Sequence, residues 1–156
     1  MPPPSPTQRT LLPAALALLL SAAIPTLSAE PSPNTAAWAY GDGARLQSAF
    51  ETGDITAETL LETLEARIEA LNETGPALRA VRALNPEAQA AAAASDARRR
   101  AGTTLGPLDG LPVLVKDNIE TADPLATTAG SLALLDNFAR QDAPVVAALR
   151  DQGAVI

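Results

Sequence analysis

Cysteine and histidine are both absent from the 156 residues, and lysine occurs once, at Lys116. Without cysteine there is no disulfide, no thiolate nucleophile and no thiolate zinc site within this chain. Without histidine, the Ser-His-Asp triad and imidazole metal ligation fall away. A catalytic base drawn from this segment is therefore a carboxylate, a tyrosine or Lys116. Aromatic residues supply only 3% of the chain, and much of its 47% apolar content is alanine. Positive charge is also scarce: 11 basic against 18 acidic residues leave a net charge of −7. An acidic chain without a basic surface cluster argues against nucleic-acid binding, which rests on neutralising phosphates. The one dense basic run, Arg98-Arg99-Arg100, falls where a helix ends, and cations there suit the helix dipole. The length is that of one ordinary domain with a real core.

The first residues read as a targeting segment. Arg9 and the terminal amine make a short positive region. Leu11 to Ile24 is then apolar apart from Ser21, with Pro13 interrupting it. The run is short for a membrane span and suits a signal peptide. Cleavage near Ser28 or Ala29 makes residues 1–29 a signal peptide and the product exported, periplasmic or secreted, with no stable membrane anchor. An uncleaved anchor is the alternative. Residues 30–45, with Pro31, Pro33, Gly41 and Gly43, read as a linker and lead-in, and residues 46–156 as the domain.

Helical periodicity starts after Gly53. Leu60, Leu61, Leu64, Ile68 and Leu71 recur at helical spacing, with Thr56 as N-cap and Gly75-Pro76 as the stop. Glu58, Glu62, Glu65 and Glu69 read as a solvated helix face rather than as acid/base groups or metal ligands. Leu78 to Leu84 alternates loosely, as a short strand would. Asn85-Pro86-Glu87 opens an alanine-rich helix, with Asn85 as cap and Pro86 at the first helical position. Asp96 and Arg100 are spaced for an i,i+4 pair, and Gly102 for the C′ position. Asp142 caps a last helix with an apolar stripe at Val145, Val146 and Leu149, and Ala154-Val155-Ile156 begins another strand.

The most informative stretch is Gly106-Pro107-Leu108-Asp109-Gly110-Leu111-Pro112-Val113-Leu114-Val115-Lys116-Asp117-Asn118. Leu111 to Val115 reads as a buried strand, and functional groups in open α/β sheets gather beyond the carboxyl ends of strands. Lys116 stands at that end. It is either a snorkelling surface lysine paired with Asp117, Glu120 or Asp123, or a desolvated amine able to act as a base. Arginine has no such second role, because it stays charged. Downstream, Thr127-Thr128-Ala129-Gly130-Ser131 is a small polar loop. Ser131 lacks the Gly-x-Ser-x-Gly nucleophile elbow, so it reads as a turn and helix start. Strand, crossover with helix, then strand implies a parallel βαβ unit, and the class is α/β.

These strings resemble the N-terminal part of the amidase signature family. The resemblance lies in Gly-Pro-Leu-x-Gly-x-Pro-x-x-x-Lys-Asp-Asn, then Thr-Thr-Ala-Gly-Ser, then the helix leading to Leu149-Arg150-Asp151-Gln152-Gly153-Ala154-Val155-Ile156, and it covers about residues 46–156. It implies an incomplete amidase-signature mixed sheet flanked by helices and hydrolysis of a carboxamide C–N bond. The chemistry implied is that of a serine nucleophile, a bridging serine with a cis peptide, and a lysine. Lys116 matches the catalytic lysine; Ser131 matches neither serine. The implied substrate is a small amide or peptide amide, with no metal or organic cofactor. The family's serines lie downstream of the lysine, so the chain is expected to be inactive alone and to expose unpaired edges. Two other classes stay open: a non-catalytic exported binding module or degenerate fragment, and an enzyme using Lys116 as a Schiff-base nucleophile.

Overall fold

The structure, a computed structural model, describes residues 35–156. The expected signal peptide lies outside the described residues. Helices dominate what is described: α1 (Thr35–Trp38), α2 (Gly43–Thr52), α3 (Ala57–Ile68), α4 (Ala88–Arg100) and α5 (Pro144–Asp151). A single π turn, Glu69–Glu73, extends α3, and a 3-10 turn covers Leu132–Leu134.

The lead-in is more ordered than its glycines imply. Asp42 accepts a hydrogen bond from the Arg45 amide at 2.8 Å and starts α2 before residue 46. Leu46, Ala49 and Phe50 then fall on one buried face, the i, i+3, i+4 pattern of an amphipathic helix. Gly53, at φ +78°, closes it.

α3 begins where expected, because Thr56 accepts from the Thr59 amide at 3.1 Å. A second cap arrives from far along the chain. Asp96 of α4 accepts from the Ala57 amide at 2.9 Å and the Glu58 amide at 3.1 Å. The expected Asp96–Arg100 pair does not form, since this buried carboxylate satisfies the positive end of α3 instead. Leu60 and Leu61 of α3 pack with Ala88 and Ala92 of α4 in one core, joined by Phe50, Ile55, Leu111 and Val155. α4 starts at Ala88, later than the expected Pro86. Asn85 accepts from the Glu87 amide at 3.0 Å and holds Pro86-Glu87 as a turn ahead of the helix.

Residues 78–84 form no strand. Asn72 pairs both its amide groups with the backbone of Val81, donating to the carbonyl and accepting from the N–H, each at 2.8 Å. A side chain takes the place that a neighbouring strand would hold. The expected strands at 111–115 and 154–156 meet in one parallel bridge, Pro112 to Val155. The Val155 amide donates to the Leu111 carbonyl at 2.9 Å, and the Val113 amide to the Val155 carbonyl at 2.8 Å. The missing N–H of Pro112 is not needed in that register. The parallel order is therefore present, but among the described residues it does not extend into a sheet.

α5 is anchored without the expected Asp142 cap. Asp142 accepts from the Ala122 amide at 2.7 Å and pairs with Arg150 at 3.0 Å, while Arg150 also reaches Asp123 at 3.2 Å. Val146 is fully buried beneath this helix. None of the described helices is long and apolar enough to cross a membrane.

Candidate active site

The site grows from the turn that feeds the Leu111–Lys116 segment. In that turn Asp109 is completely buried. Arg98 grips its carboxylate with two bonds, Nη2 to Oδ1 at 2.6 Å and Nε to Oδ2 at 3.1 Å, and the Leu105 amide donates at 2.8 Å. Burial opposes the charge on Asp109, but the Arg98 bonds and the Leu105 amide outweigh it, holding the carboxyl below its ordinary range. Arg99 donates to the Asp109 carbonyl at 2.9 Å and lies over the Phe50 ring at 5.2 Å. Arg98 and Arg99 thus do more than complement a helix end: they fasten the turn onto α2 and α4. Gly110 sits at φ +87°, where a Cβ would come within 2.7 Å of the Ser95 hydroxyl. Only glycine fits both that angle and that space.

Beyond the Pro112–Val155 bridge the chain reaches Lys116. The Lys116 carbonyl accepts from the Ile119 amide at 2.9 Å, so the backbone turns there. The Lys116 side chain is exposed and lines a groove of about 1130 Å³. Leu64, Ile68, Leu84, Val113 and Val155 furnish much of the groove's apolar wall. Lys116 forms no ion pair within the described residues. Asp123, expected as a partner, is committed to Arg150, and Asp117 to Arg82 and Thr128. The described residues do not supply the burial that the base reading of Lys116 requires.

Asp117 is held closely. Its Oδ1 accepts from the Thr128 amide at 2.9 Å, its Oδ2 from the Thr128 hydroxyl at 2.5 Å, and Arg82 Nε stands 3.3 Å from Oδ2. The Ala129 amide donates to the Asp117 carbonyl at 2.8 Å. These bonds, led by the Thr128 hydroxyl, hold the Asp117 carboxyl below its ordinary range. The structure thereby joins two strings that lie apart in sequence, Lys116-Asp117-Asn118 and Thr127-Thr128-Ala129-Gly130-Ser131. Ser131 accepts from the Ala133 amide at 3.3 Å and starts the 3-10 turn, as expected of a helix-start residue. The sequence offers Asp117 only as a partner for Lys116, and it singles out neither Asp109 nor Thr128. A charged residue between turn glycines and a hydroxyl pair ahead of Ala-Gly were the available signals. Among the described residues, no three Asp or Glu side chains gather as a metal site.

The site thus consists of a turn locked beneath a bridged segment, a lysine at the segment's carboxyl end and a polar loop bound behind it. Residues 59–156 match the sequence profile of the Amidase family, and the chain belongs to that family. Among its relatives, a glutamyl-tRNA(Gln) amidotransferase polypeptide of Chloroflexus aurantiacus is 47% identical over 111 residues, covering 70% of this chain and 22% of the relative. The crystal structure of native peptide amidase from Stenotrophomonas maltophilia superposes with a TM-score of 0.73 at 49% identity, over 77% of this chain and 24% of that one. An amidase family protein from Bacillus anthracis gives a TM-score of 0.72 at 31% identity, over 82% and 26%. The chain spans about a fifth of the length of the relatives it matches.

Proposed function

We propose that this chain is the N-terminal part of an exported amidase that hydrolyses the carboxamide C–N bond of a small amide or peptide amide. Its contribution to the chemistry is Lys116. The observation that carries the reading is the placement of Lys116 at the carboxyl end of the bridged Leu111–Lys116 segment, on the rim of a large groove, inside the family's matched region.

In this reading the neutral amine of Lys116 draws a proton, through a bridging serine in a cis peptide, from a serine nucleophile that attacks the amide carbonyl. The same path returns a proton to the departing amine. Both serines come from sequence outside these 156 residues, and the chain alone is inactive. That additional sequence also extends the Pro112–Val155 bridge into a mixed sheet and covers Lys116. The high identity to a peptide amidase supports a peptide-amide substrate, and the apolar run of residues 11–24 supports export.

The test is Lys116→Arg in the full-length protein, assayed by ammonia release from a C-terminal peptide amide. Charge and approximate length are kept, yet arginine does not become a neutral base. Turnover is expected to fall by at least about 10²-fold, the scale of a lost general base. Comparable turnover in the variant would remove Lys116 from the mechanism.

A further inference from the structure

We propose that Asp117, clamped by Thr128 and Arg82, is a positioning residue for Lys116: it fixes the backbone that presents the amine and keeps its own carboxylate from pairing with that amine. The inference rests on the reading of Lys116 as the catalytic lysine.

Lys116 has no side-chain partner among the described residues, so its placement depends on its backbone. That backbone is held from one side by the bridge at Pro112–Val155. From the other side it is held by three bonds to a single loop: the Thr128 amide and hydroxyl to the Asp117 carboxylate, and the Ala129 amide to the Asp117 carbonyl. Thr128 is 2% exposed, so its side of this contact is shielded from competing water, while the Asp117 carboxylate is partly open. The loop is itself braced. Asn137 exchanges two bonds with Thr127, each at 2.9 Å, and the Thr128 hydroxyl accepts from the Gly130 amide at 3.1 Å. Ala129, a residue with a Cβ, is held at φ +48°, in the left-handed region. Backbone strain of this kind persists where surroundings over-determine it.

The electrostatic half of the inference follows from adjacency. A carboxylate one residue from a lysine is an available counter-ion, and an ion pair favours the ammonium over the neutral amine that accepts a proton. Here the Asp117 oxygens are occupied by Thr128 and by Arg82 from the 78–84 segment. The other charged groups lining the groove are Glu65, Arg67 and Asp123. Glu65 accepts from Gln89 at 2.9 Å, Asp123 pairs with Arg150, and the Arg67 guanidinium lies 4.6 Å from the Tyr40 ring centre. The clamp therefore withholds the one acidic group that adjoins Lys116 in the chain.

The test uses the full-length protein with Thr128→Val, which keeps shape and removes the hydroxyl, and Thr128→Ser, which restores it. Thr128→Val is expected to lower kcat by about 10- to 100-fold with KM within about twofold, the cost of misplacing a reacting group. Thr128→Ser is expected to keep kcat within about threefold. A second readout does not depend on turnover. Amidination of the Lys116 amine at fixed pH, followed by the mass of its peptide, is expected to slow severalfold in Thr128→Val and not in Thr128→Ser. A folded Thr128→Val protein with wild-type kcat and wild-type labelling overturns the proposal. If Thr128→Val does not fold, Asp117→Asn carries the test, because it loses the charge-assisted bonds while keeping the outline; wild-type values in both readouts overturn the proposal there too. Activity retained by Lys116→Arg would sink the catalytic reading instead, and the labelling comparison alone would then decide the clamp.

Discussion

Asp109 holds a charge where no water reaches it, and Arg98 is the main reason that charge persists. Both carboxylate oxygens are spoken for, by Arg98 and by the Leu105 amide. Removing one partner of such a pair leaves the other uncompensated. Asp109→Asn should therefore cost about 3 kcal/mol, at the lower end for buried pairs because Arg98 remains partly hydrated. Urea denaturation of the full-length protein reads this as a lower midpoint at unchanged slope. The pH dependence follows in sign. The folded-state carboxyl titrates below its unfolded value of about 4, so the stabilisation is fully present above that value. It is lost as pH falls from about 4 through the folded value. A wild-type protein whose stability stayed flat across that window while Asp109→Asn remained destabilised would contradict the linkage. Asp117 shifts in the same direction, and its exposure makes it a lesser contributor.

At the scale of elements, helices with local start signals are legible in the sequence, and features decided by distant partners are not. Thr56 caps α3 through a residue three positions on, which sequence spacing reveals. Asp96 caps the same helix from 39 residues away, and no local rule separates that role from an i,i+4 pair with Arg100. α2 was hidden for a different reason: Gly41 and Gly43 read as a linker, although Asp42 and the Leu46, Ala49, Phe50 pattern form a capped amphipathic helix. Residues 78–84 alternate like a strand, yet Asn72 takes the backbone bonds a strand would have made. Lys116 stands out in the sequence as a candidate because it is the one lysine in the chain. Thr128 does not, because only folding places it on Asp117. The Asp96 cap carries its own prediction. Asp96→Ala should destabilise by about 2 kcal/mol, more than an exposed cap, because a buried amide and a part-buried one lose their acceptor together. Arg100→Ala should shift the same thermal midpoint little, since Asp96 does not bind it. Equal losses in the two variants would restore the i,i+4 pair and refute the capping role.

At the scale of the molecule, the described residues close a core on one side only. Leu60, Ala92, Phe50 and Val155 are buried together, while Leu114, Leu132 and Phe138 are 70%, 83% and 55% exposed. The groove that holds Lys116 is broad and mostly apolar at its wall, and the single parallel bridge leaves backbone on either side of it without a neighbouring strand. Exposed apolar surface beside unpaired strand backbone is the combination that drives association. Residues 35–156 produced alone should therefore retain the α3–α4 core and bind a hydrophobic dye strongly. They should sediment as a concentration-dependent mixture, whereas the full-length protein should bind the dye weakly at the same concentration. The helices should survive, because their caps and the Asp109–Arg98 lock lie within the described residues. A monodisperse, dye-silent product with a sharp cooperative melt would mean that this region completes its own surface. It would then stand as a binding module in its own right, with the groove as its binding face and Lys116 as one of the groups lining it.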